Sequence, residues 1–145
     1  MAAATSSDNP RKFRVVVVED DATVFIGLRT LLRHYNYNVE VFETLAAARG
    51  TIQRDGADFV CLDLLLPDGN GVELLQWLRM TRPSLPVCIC TACEDPAVLR
   101  RVRNLMPTLL LNKPIDFMRL LEAIKQASDA FEKSPTKQKV KAMLW

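Results

Sequence analysis

The sequence predicts an α/β protein of three layers, in which helices cover both faces of a mostly parallel β-sheet. Short apolar, β-branched segments alternate five times with segments whose apolar residues recur at helical spacing, which is the pattern of βαβ units. The first apolar segment is apolar on consecutive residues, from Val15 to Val18, as expected for a strand covered on both faces. The length of 145 residues suits one domain.

The spacing of apolar residues predicts the first elements. Strands are predicted at residues 13–18, 38–42, 59–62, 86–90 and 108–111. The first helix is predicted from four apolar residues at helical spacing: Val24, Leu28, Leu31 and Tyr35. A loop whose glycines allow positive φ, Asp68-Gly69-Asn70-Gly71, leads into the helix that carries Val72, Leu75 and Leu78.

Capping residues predict where the last two helices begin. Asp95 is an N-cap residue followed by Pro96 at the first helical position, and Asp116 caps the last helix in the same way. The apolar positions of these two helices are Val98, Val102 and Leu105, then Phe117, Leu120, Leu121, Ile124 and Phe131. The elements together define a domain over residues 13–131.

Composition and charge exclude several classes of protein. Apolar residues make up 49% of the chain and charged residues 25%, as in an ordinary globular protein. No apolar run approaches the ~20 residues that cross a bilayer, and residues 1–12 contain no apolar signal-peptide stretch, so we expect a cytoplasmic chain that does not bind membranes. The net charge is +1 over residues 1–12 and +3 over residues 132–145, which leaves −2 for the body and argues against nucleic-acid binding. We expect residues 1–12 to be a disordered extension and residues 132–145 a basic tail or the start of a linker.

Cysteine spacing suggests a metal site or a disulfide, but its context favours neither. Cys88, Cys90 and Cys93 form a C-x-C-x-x-C pattern, and Cys61 lies elsewhere. Since Cys88 and Cys90 fall on one face of a predicted buried strand and no histidine is near, we expect buried, free thiols.

Polar residues that follow the predicted strands indicate a functional site. Glu19-Asp20-Asp21 follows the first strand, Asp63 the third, Thr91 the fourth and Asn112-Lys113-Pro114 the fifth. Ligands bind at the carboxyl ends of parallel strands, and clustered carboxylates call for a cation such as Mg²⁺. A lysine and a hydroxyl beside that cation would hold phosphoryl oxygens. The residues alone therefore predict a Mg²⁺-dependent phosphoryl site, with Asp63 as the carboxylate best placed to be phosphorylated.

Four blocks of the sequence resemble the signature blocks of the receiver domain of two-component response regulators, and of chemotaxis-regulator-like receivers in particular. The blocks are residues 15–21, 61–71, 90–92 and 112–114, and the resemblance covers residues 13–131. It implies a flavodoxin-like, doubly wound, five-stranded parallel sheet in the order 2-1-3-4-5. It also implies that Asp63 accepts a phosphoryl group from a phosphohistidine on a sensor histidine kinase. On this interpretation the chain is a signalling domain and not an enzyme, apart from self-catalysed phosphotransfer and autodephosphorylation.

The resemblance also implies a role for each site residue. Asp21 and Asp63 would bind Mg²⁺, or Mn²⁺ as its substitute, directly, Asp20 would bind through water, and the backbone carbonyl of Leu65 would supply another ligand. Thr91 would donate its hydroxyl to a phosphoryl oxygen, with the N–H of Ala92 beside it. Lys113 would pair with the phosphoryl group, and a cis peptide bond to Pro114 is expected.

Two positions depart from the pattern of the family. Leu110 stands where an aromatic residue usually couples the phosphorylated site to the output face. Displacement of a loop and a helix would then have to carry that signal. Met106-Pro107 stands where Gly-Ala is common, and because proline cannot continue a helix, a stiffer turn is expected. Neither departure touches the predicted phosphorylation site.

Three other classes of protein compete with this interpretation. A phosphatase of the haloacid dehalogenase type needs a D-x-D-x-[TV] motif, which here would place Glu19 in the nucleophile position. A receiver-like interaction module that never takes phosphate would normally lack an acidic residue or the lysine, and here all are present. A nucleotide-binding fold is disfavoured because neither glycine-rich phosphate-binding motif occurs.

The output of the domain is open at the level of sequence. The 14 residues after residue 131 are too few for another domain. The chain is expected either to act alone or to be a fragment of a longer regulator, with transcription regulation as one output. Acting alone, it would dock a partner through the fourth helix, fifth strand and fifth helix, relay phosphate to a histidine phosphotransfer protein, or form a homodimer on phosphorylation.

Overall fold

The computed structural model describes residues 12–133 and has a five-stranded parallel sheet at its centre. The strands are β1 (Arg14–Val18), β2 (Asn38–Phe42), β3 (Phe59–Leu62), β4 (Val87–Thr91) and β5 (Leu109–Asn112). They lie in the order β2-β1-β3-β4-β5, and every neighbouring pair is parallel. The predicted three-layer fold and the 2-1-3-4-5 order are therefore confirmed.

Four helices connect the strands and a fifth follows β5: α1 (Ala22–His34), α2 (Leu45–Asp55), α3 (Val72–Thr81), α4 (Pro96–Asn104) and α5 (Phe117–Glu132). The aspartates predicted to cap α4 and α5 do so, since Asp95 accepts from the N–H of Ala97 and Asp116 from those of Met118 and Arg119. Each cap satisfies helix donors that have no partner within the helix.

The helices divide the core between the two faces of the sheet. On one face Val16, Val60 and Ile89 pack with residues of α2, α3 and α4. On the other face Val15 and Phe59 pack with residues of α1 and α5. Successive residues of a strand point to opposite faces, which explains why β3 is apolar at every position and β1 is apolar from Val15 to Val18.

The cysteines are buried and free, as expected. Cys61, Cys88 and Cys90 share the sheet face that α1 and α5 cover. The Sγ atoms of Cys88 and Cys90 are 3.7 Å apart. Burial raises the pKa of the Cys61 thiol, so it behaves as an apolar packing group rather than as a reactive thiolate.

The turn between α4 and β5 is held by an arginine of α3. Met106 adopts a positive φ of 53° in this turn. The Arg79 guanidinium donates to the carbonyls of Leu105 at 2.9 Å, Met106 at 3.1 Å and Leu85 at 2.7 Å. One side chain thus donates hydrogen bonds to carbonyls of two neighbouring loops. Two of these carbonyls, of Leu105 and Met106, follow the end of α4, where carbonyls have no partner within the helix.

Two short strands lie between β3 and α3. Leu65–Leu66 and Gly69–Asn70 pair antiparallel and form a small hairpin, here called the ribbon (residues 65–70). Sequence patterning predicted only a loop here. Positive φ is needed at Gly69, where φ is 149°, whereas Gly71 has φ −61°.

Some expectations concern chain outside the described residues. The predicted disordered extension lies outside them except for Lys12, and the predicted basic tail lies outside them except for residues 132 and 133, of which Glu132 is the last residue of α5. Among residues 12–133 no helix has both the length and the apolar character needed to span a bilayer.

Candidate functional site

The carboxyl ends of β1, β3, β4 and β5 bring most of the predicted site residues to one edge of the sheet. Asp63 directly follows β3 and is 5% exposed. Its backbone N–H donates to the carbonyl of Val18 at 3.0 Å, which continues the β1–β3 pairing beyond the strands. The Leu65 N–H donates to Asp63 Oδ1 at 3.2 Å. The backbone thus fixes this carboxylate in position.

Lys113 reaches the same carboxylate from β5. Its Nζ lies 3.0 Å from Asp63 Oδ2 and also contacts Glu19 Oε1. The Lys113 N–H donates to the carbonyl of Thr91 at 3.0 Å. The peptide bond to Pro114 is cis, as the resemblance implied. Asp63 and Lys113 therefore lie together as predicted.

Three carboxylates form an acidic cluster, but not the three that the sequence indicated. Glu19, Asp20 and Asp63 can each offer an oxygen such that all three oxygens lie within 4.8 Å of one another. Asp21, expected as a direct metal ligand, lies outside this cluster. Its carboxylate instead accepts the Thr23 N–H at 3.0 Å and caps α1.

Glu19 takes the place that was assigned to Asp21, and the reason is the end of β1. Its N–H donates to the carbonyl of Phe42 at 3.0 Å, so the pairing with β2 extends one residue beyond Val18. Glu19 thus lies at the level of the sheet edge, and Asp21 lies just before the first residue of α1. An aspartate directly before a segment with helical spacing is a common N-cap residue. This signal in the sequence could have identified Asp21 as the cap of α1.

The donor chemistry of the cluster fits a hard divalent cation. All the ligand atoms are carboxylate oxygens, as Mg²⁺ and Mn²⁺ prefer. Glu19 is only 3% exposed. Its Oε2 is buried and has no hydrogen-bond partner among the residues that the structure describes. A buried acceptor without a partner is costly, and a cation beside it would remove that cost.

Charge in the site is distributed unequally between the two buried carboxyls. Burial raises the pKa of Glu19 to about 7, and hydrogen bonding to Asp63 raises it further against the opposing effect of Lys113. Burial alone would also raise the pKa of Asp63, but hydrogen bonds from Glu19, Lys113 and the Leu65 N–H outweigh it and lower that pKa. The Lys113 pKa is raised, because contacts with Glu19 and Asp63 outweigh its burial. The lowered pKa favours the ionised form of Asp63, the form in which a carboxylate can act as a nucleophile.

Thr91 and Ala92 lie at the end of the neighbouring strand. Thr91 is the last residue of β4, one residue further along than predicted for that strand, and its side chain is fully buried. Its hydroxyl oxygen accepts the Cys93 N–H at 3.1 Å. Ala92 follows at an exposed position. Leu110, in the usual aromatic position, is half-buried in β5 and packs against the core shared with α2, α3 and α4.

Comparison with known proteins assigns this arrangement to a family. The profile of the response regulator receiver domain matches residues 15–125. The chain therefore belongs to the response regulator receiver domain family, a family of signalling domains in two-component systems.

Individual relatives agree with this assignment. The photosynthetic apparatus regulatory protein RegA of Rhodobacter capsulatus is 26% identical over 121 residues, which cover 83% of this chain and 66% of RegA. The chain spans only 26% of the transcriptional regulatory protein ZraR of Salmonella typhimurium, at 28% identity over 80% of this chain. The matched relatives are thus longer than the region they share with it.

Solved structures show the same fold. A CheY-like receiver domain protein from Methanospirillum hungatei JF-1 superposes with a TM-score of 0.78 at 26% identity, over 85% of this chain and 98% of that one. The beryllofluoride-activated NtrC4 receiver domain, a dimer in solution, matches with a TM-score of 0.73 at 25% identity, over 81% of this chain and 98% of that one.

Proposed function

We propose that Asp63 of this receiver domain accepts a phosphoryl group from a phosphohistidine of a sensor histidine kinase, in a Mg²⁺-dependent reaction. The domain then changes conformation and signals to a partner or effector domain. The observation that carries the proposal is the setting of Asp63: a buried, anionic carboxylate 3.0 Å from the Lys113 ammonium and within an acidic cluster with Glu19 and Asp20.

The transfer exchanges one bond to phosphorus for another. An oxygen of the Asp63 carboxylate attacks phosphorus, the new O–P bond forms, and the P–N bond to the donor histidine breaks with its electron pair on the imidazole, which takes up a proton. Mg²⁺ held by the acidic cluster of Glu19, Asp20 and Asp63 would neutralise charge on the phosphoryl oxygens. Lys113 pairs with a phosphoryl oxygen, and the Thr91 hydroxyl and the Ala92 N–H donate to the others. The Thr91 oxygen accepts the Cys93 N–H, so its own proton is free for this bond.

The proposed metal ligands follow the structure rather than the sequence pattern. Asp20, Asp63 and the backbone carbonyl of Leu65 bind Mg²⁺ or Mn²⁺, and Glu19 contributes through its buried carboxyl. This assignment is supported by the grouping of Glu19, Asp20 and Asp63 and by the unpartnered Oε2 of Glu19. Asp21 is left with the cap of α1.

The proposed partners follow from the chemistry and from the relatives. The phosphoryl donor is a sensor histidine kinase, which this chain meets in the cytoplasm. The outputs we propose are a downstream effector that contacts α4, β5 and α5, a histidine phosphotransfer protein, or a second copy of the chain. The last is supported by the activated NtrC4 receiver, which is a dimer. The alternative functions are a phosphorelay intermediate and an interaction module that is never phosphorylated.

Intact mass after incubation with acetyl phosphate tests the proposal. The parent chain with Mg²⁺ is expected to gain about 80 Da, the mass of one phosphoryl group, and to gain nothing when EDTA replaces Mg²⁺. Asp63→Asn is expected to remain unlabelled. Asp21→Asn is the matched control, because it alters a neighbouring aspartate outside the cluster, and it should be labelled like the parent. Full labelling of Asp63→Asn would refute the assignment of the acceptor, and a parent chain that takes no label would favour the interaction module.

A further inference from the structure

The ribbon that follows Asp63 is attached at its tip to the start of α2. Both carboxylate oxygens of Asp68 accept backbone N–H groups of that helix, from Leu45 at 2.9 Å and from Ala46 at 3.1 Å. The helix has its own N-cap as well, since Thr44 Oγ1 accepts the Ala47 N–H at 3.2 Å. Asp68 therefore accepts two N–H groups of the first turn that the Thr44 cap leaves without an acceptor. It lies 23 residues from Leu45 and 22 residues from Ala46 in the sequence.

The ribbon is also fixed at its base. The Gly71 N–H donates to the carbonyl of Leu64 at 2.8 Å. A Cβ at Gly71 would lie 2.4 Å from the carbonyl oxygen of Asp63, so the backbone of residue 71 packs directly on the backbone of the phosphorylation site. The segment between Asp63 and Gly71 is thus closed at its base. Within residues 12–133, the hydrogen bonds that join its far end to another element are those of Asp68.

Between these two attachments the ribbon forms one wall of an open hollow beside the acidic cluster. The hollow is lined by Asp20 of the cluster, by Leu64, and by Leu65, Leu66, Pro67, Gly69 and Asn70 of the ribbon. Leu65 is two residues from Asp63, and its N–H is bonded to the Asp63 carboxylate. A shift of the ribbon relative to α2 would therefore move the Leu65 backbone relative to Asp20 and Asp63.

We propose that Asp68 is a positioning residue of the metal site: by binding the N-terminus of α2 it holds the ribbon, and with it the Leu65 backbone, in the place that cation binding requires. This inference rests on the proposed function, because it takes Leu65 to be part of that site. Asp68 itself contacts neither the acidic cluster nor the reacting atoms. It acts through the ribbon, as outer hydrogen-bond partners of metal ligands commonly do.

Isothermal titration calorimetry, in which Mg²⁺ alone is added to the metal-free chain, tests the inference. The matched control is Asp116→Ala, because Asp116 also accepts two N–H groups at a helix start, those of Met118 and Arg119, but touches no part of the ribbon. Both Asp68→Ala and Asp116→Ala should lose stability towards urea. Asp68→Ala should bind Mg²⁺ about tenfold or more weakly than Asp116→Ala, and only in Asp68→Ala should the Leu65 amide exchange faster.

Asp68→Asn keeps one acceptor oxygen and is expected to fall between the parent and Asp68→Ala in Mg²⁺ affinity, which keeps the test decisive should the alanine variant not fold. An Asp68 variant that binds Mg²⁺ as tightly as Asp116→Ala overturns this inference alone. A parent chain that does not bind Mg²⁺ overturns the proposed function and this inference with it.

Discussion

The Lys113 ammonium lies 3.0 Å from Oδ2 of Asp63 and contacts Glu19 as well, so one cation of the chain already serves two carboxylates of the acidic cluster. These carboxylates are the proposed ligands of a metal. The ammonium therefore stabilises the cluster when no metal is bound and repels a metal that enters it. This relationship makes the affinity for Mg²⁺ depend on Lys113.

Replacing Lys113 by methionine is expected to strengthen Mg²⁺ binding several-fold, because the repulsion is removed while the apolar stem is kept. The measurement is the Mg²⁺ dissociation constant by calorimetry. Lys125→Met is the control, since Lys125 lies over the Tyr35 ring, 4.6 Å from its centroid, on α5. In Lys113→Met labelling by acetyl phosphate should persist while the conformational response weakens. Weaker Mg²⁺ binding in Lys113→Met would contradict this account of the ammonium.

The raised pKa of Glu19, about 7 against an ordinary value of 4.5, predicts a pH dependence of stability in the metal-free chain. Between pH 4.5 and about pH 7 the folded protein keeps a proton on Glu19 that the unfolded chain has released. The resulting contribution to stability is fully present below the unfolded pKa and is lost as the pH rises through the folded pKa. Stability should therefore fall from about pH 4.5 to about pH 7. Asp63, whose pKa is lowered, acts in the opposite sense and at lower pH, below 3.8.

Glu19→Gln removes this titration. The free energy of unfolding in urea with EDTA, measured at about pH 5 and about pH 8, should fall less between the two pH values in Glu19→Gln than in the parent. Glu122→Gln, at an exposed position of α5, should follow the parent. Equal pH dependence in Glu19→Gln and the parent would show that Glu19 does not hold the proton.

Asp20 and Asp21 are neighbours with different roles, and separate substitutions should distinguish them. Asp20→Ala removes a member of the acidic cluster and should abolish most of the Mg²⁺ affinity while leaving the α1 cap intact. Asp21→Ala should retain Mg²⁺ affinity and lose about 1 kcal/mol of stability with its N-cap. Loss of Mg²⁺ binding in Asp21→Ala but not in Asp20→Ala would restore the assignment that the sequence pattern suggested.

The close approach of Gly71 to the backbone of Asp63 predicts that no side chain is tolerated there. A Cβ would lie 2.4 Å from the Asp63 carbonyl oxygen and 3.0 Å from the Leu64 Cα, both backbone atoms. Gly71→Ala should lose about 3 kcal/mol of stability and label poorly. Gly50→Ala is the matched control, because nothing lies within 4 Å of its Cβ. Lying inside α2, it should stabilise the chain by about 0.5–1 kcal/mol. Urea unfolding of both variants measures the contrast, and equal stability of the two would contradict it.

The sequence was informative where burial imposes a local pattern. Strands covered on both faces must be apolar at consecutive positions, so residues 15–18 and 59–62 could be located, and with them the neighbouring Asp63. The helix caps at Asp95 and Asp116 were recognisable because the bond they make spans only two or three residues. The resemblance to receiver domains added the strand order.

Sequence reasoning failed where adjacent residues of similar chemistry or a distant contact decide the outcome. The predicted end of β1 at Val18 agrees with the structure, but the pattern of three consecutive acidic residues does not indicate which two of them lie beside Asp63. The structure groups Glu19 and Asp20 with Asp63 and places Asp21 at the cap of α1. Strands of two residues carry no periodic signal, so the ribbon was taken for a loop. The bonds from Asp68 to α2 and from Arg79 to the α4–β5 turn join residues far apart in the chain, and no local pattern indicates them.

Chemical identification of the phosphorylated residue decides whether Asp63 is the acceptor. Borohydride reduces an acyl phosphate on aspartate to homoserine, so treatment of the chain after incubation with acetyl phosphate and Mg²⁺, followed by peptide mass spectrometry, marks the acceptor. Homoserine is expected at position 63 alone, and none is expected when EDTA replaces Mg²⁺. Homoserine at position 20 or 21, or a phosphorylated chain with no homoserine at position 63, would contradict the assignment of Asp63 as the acceptor.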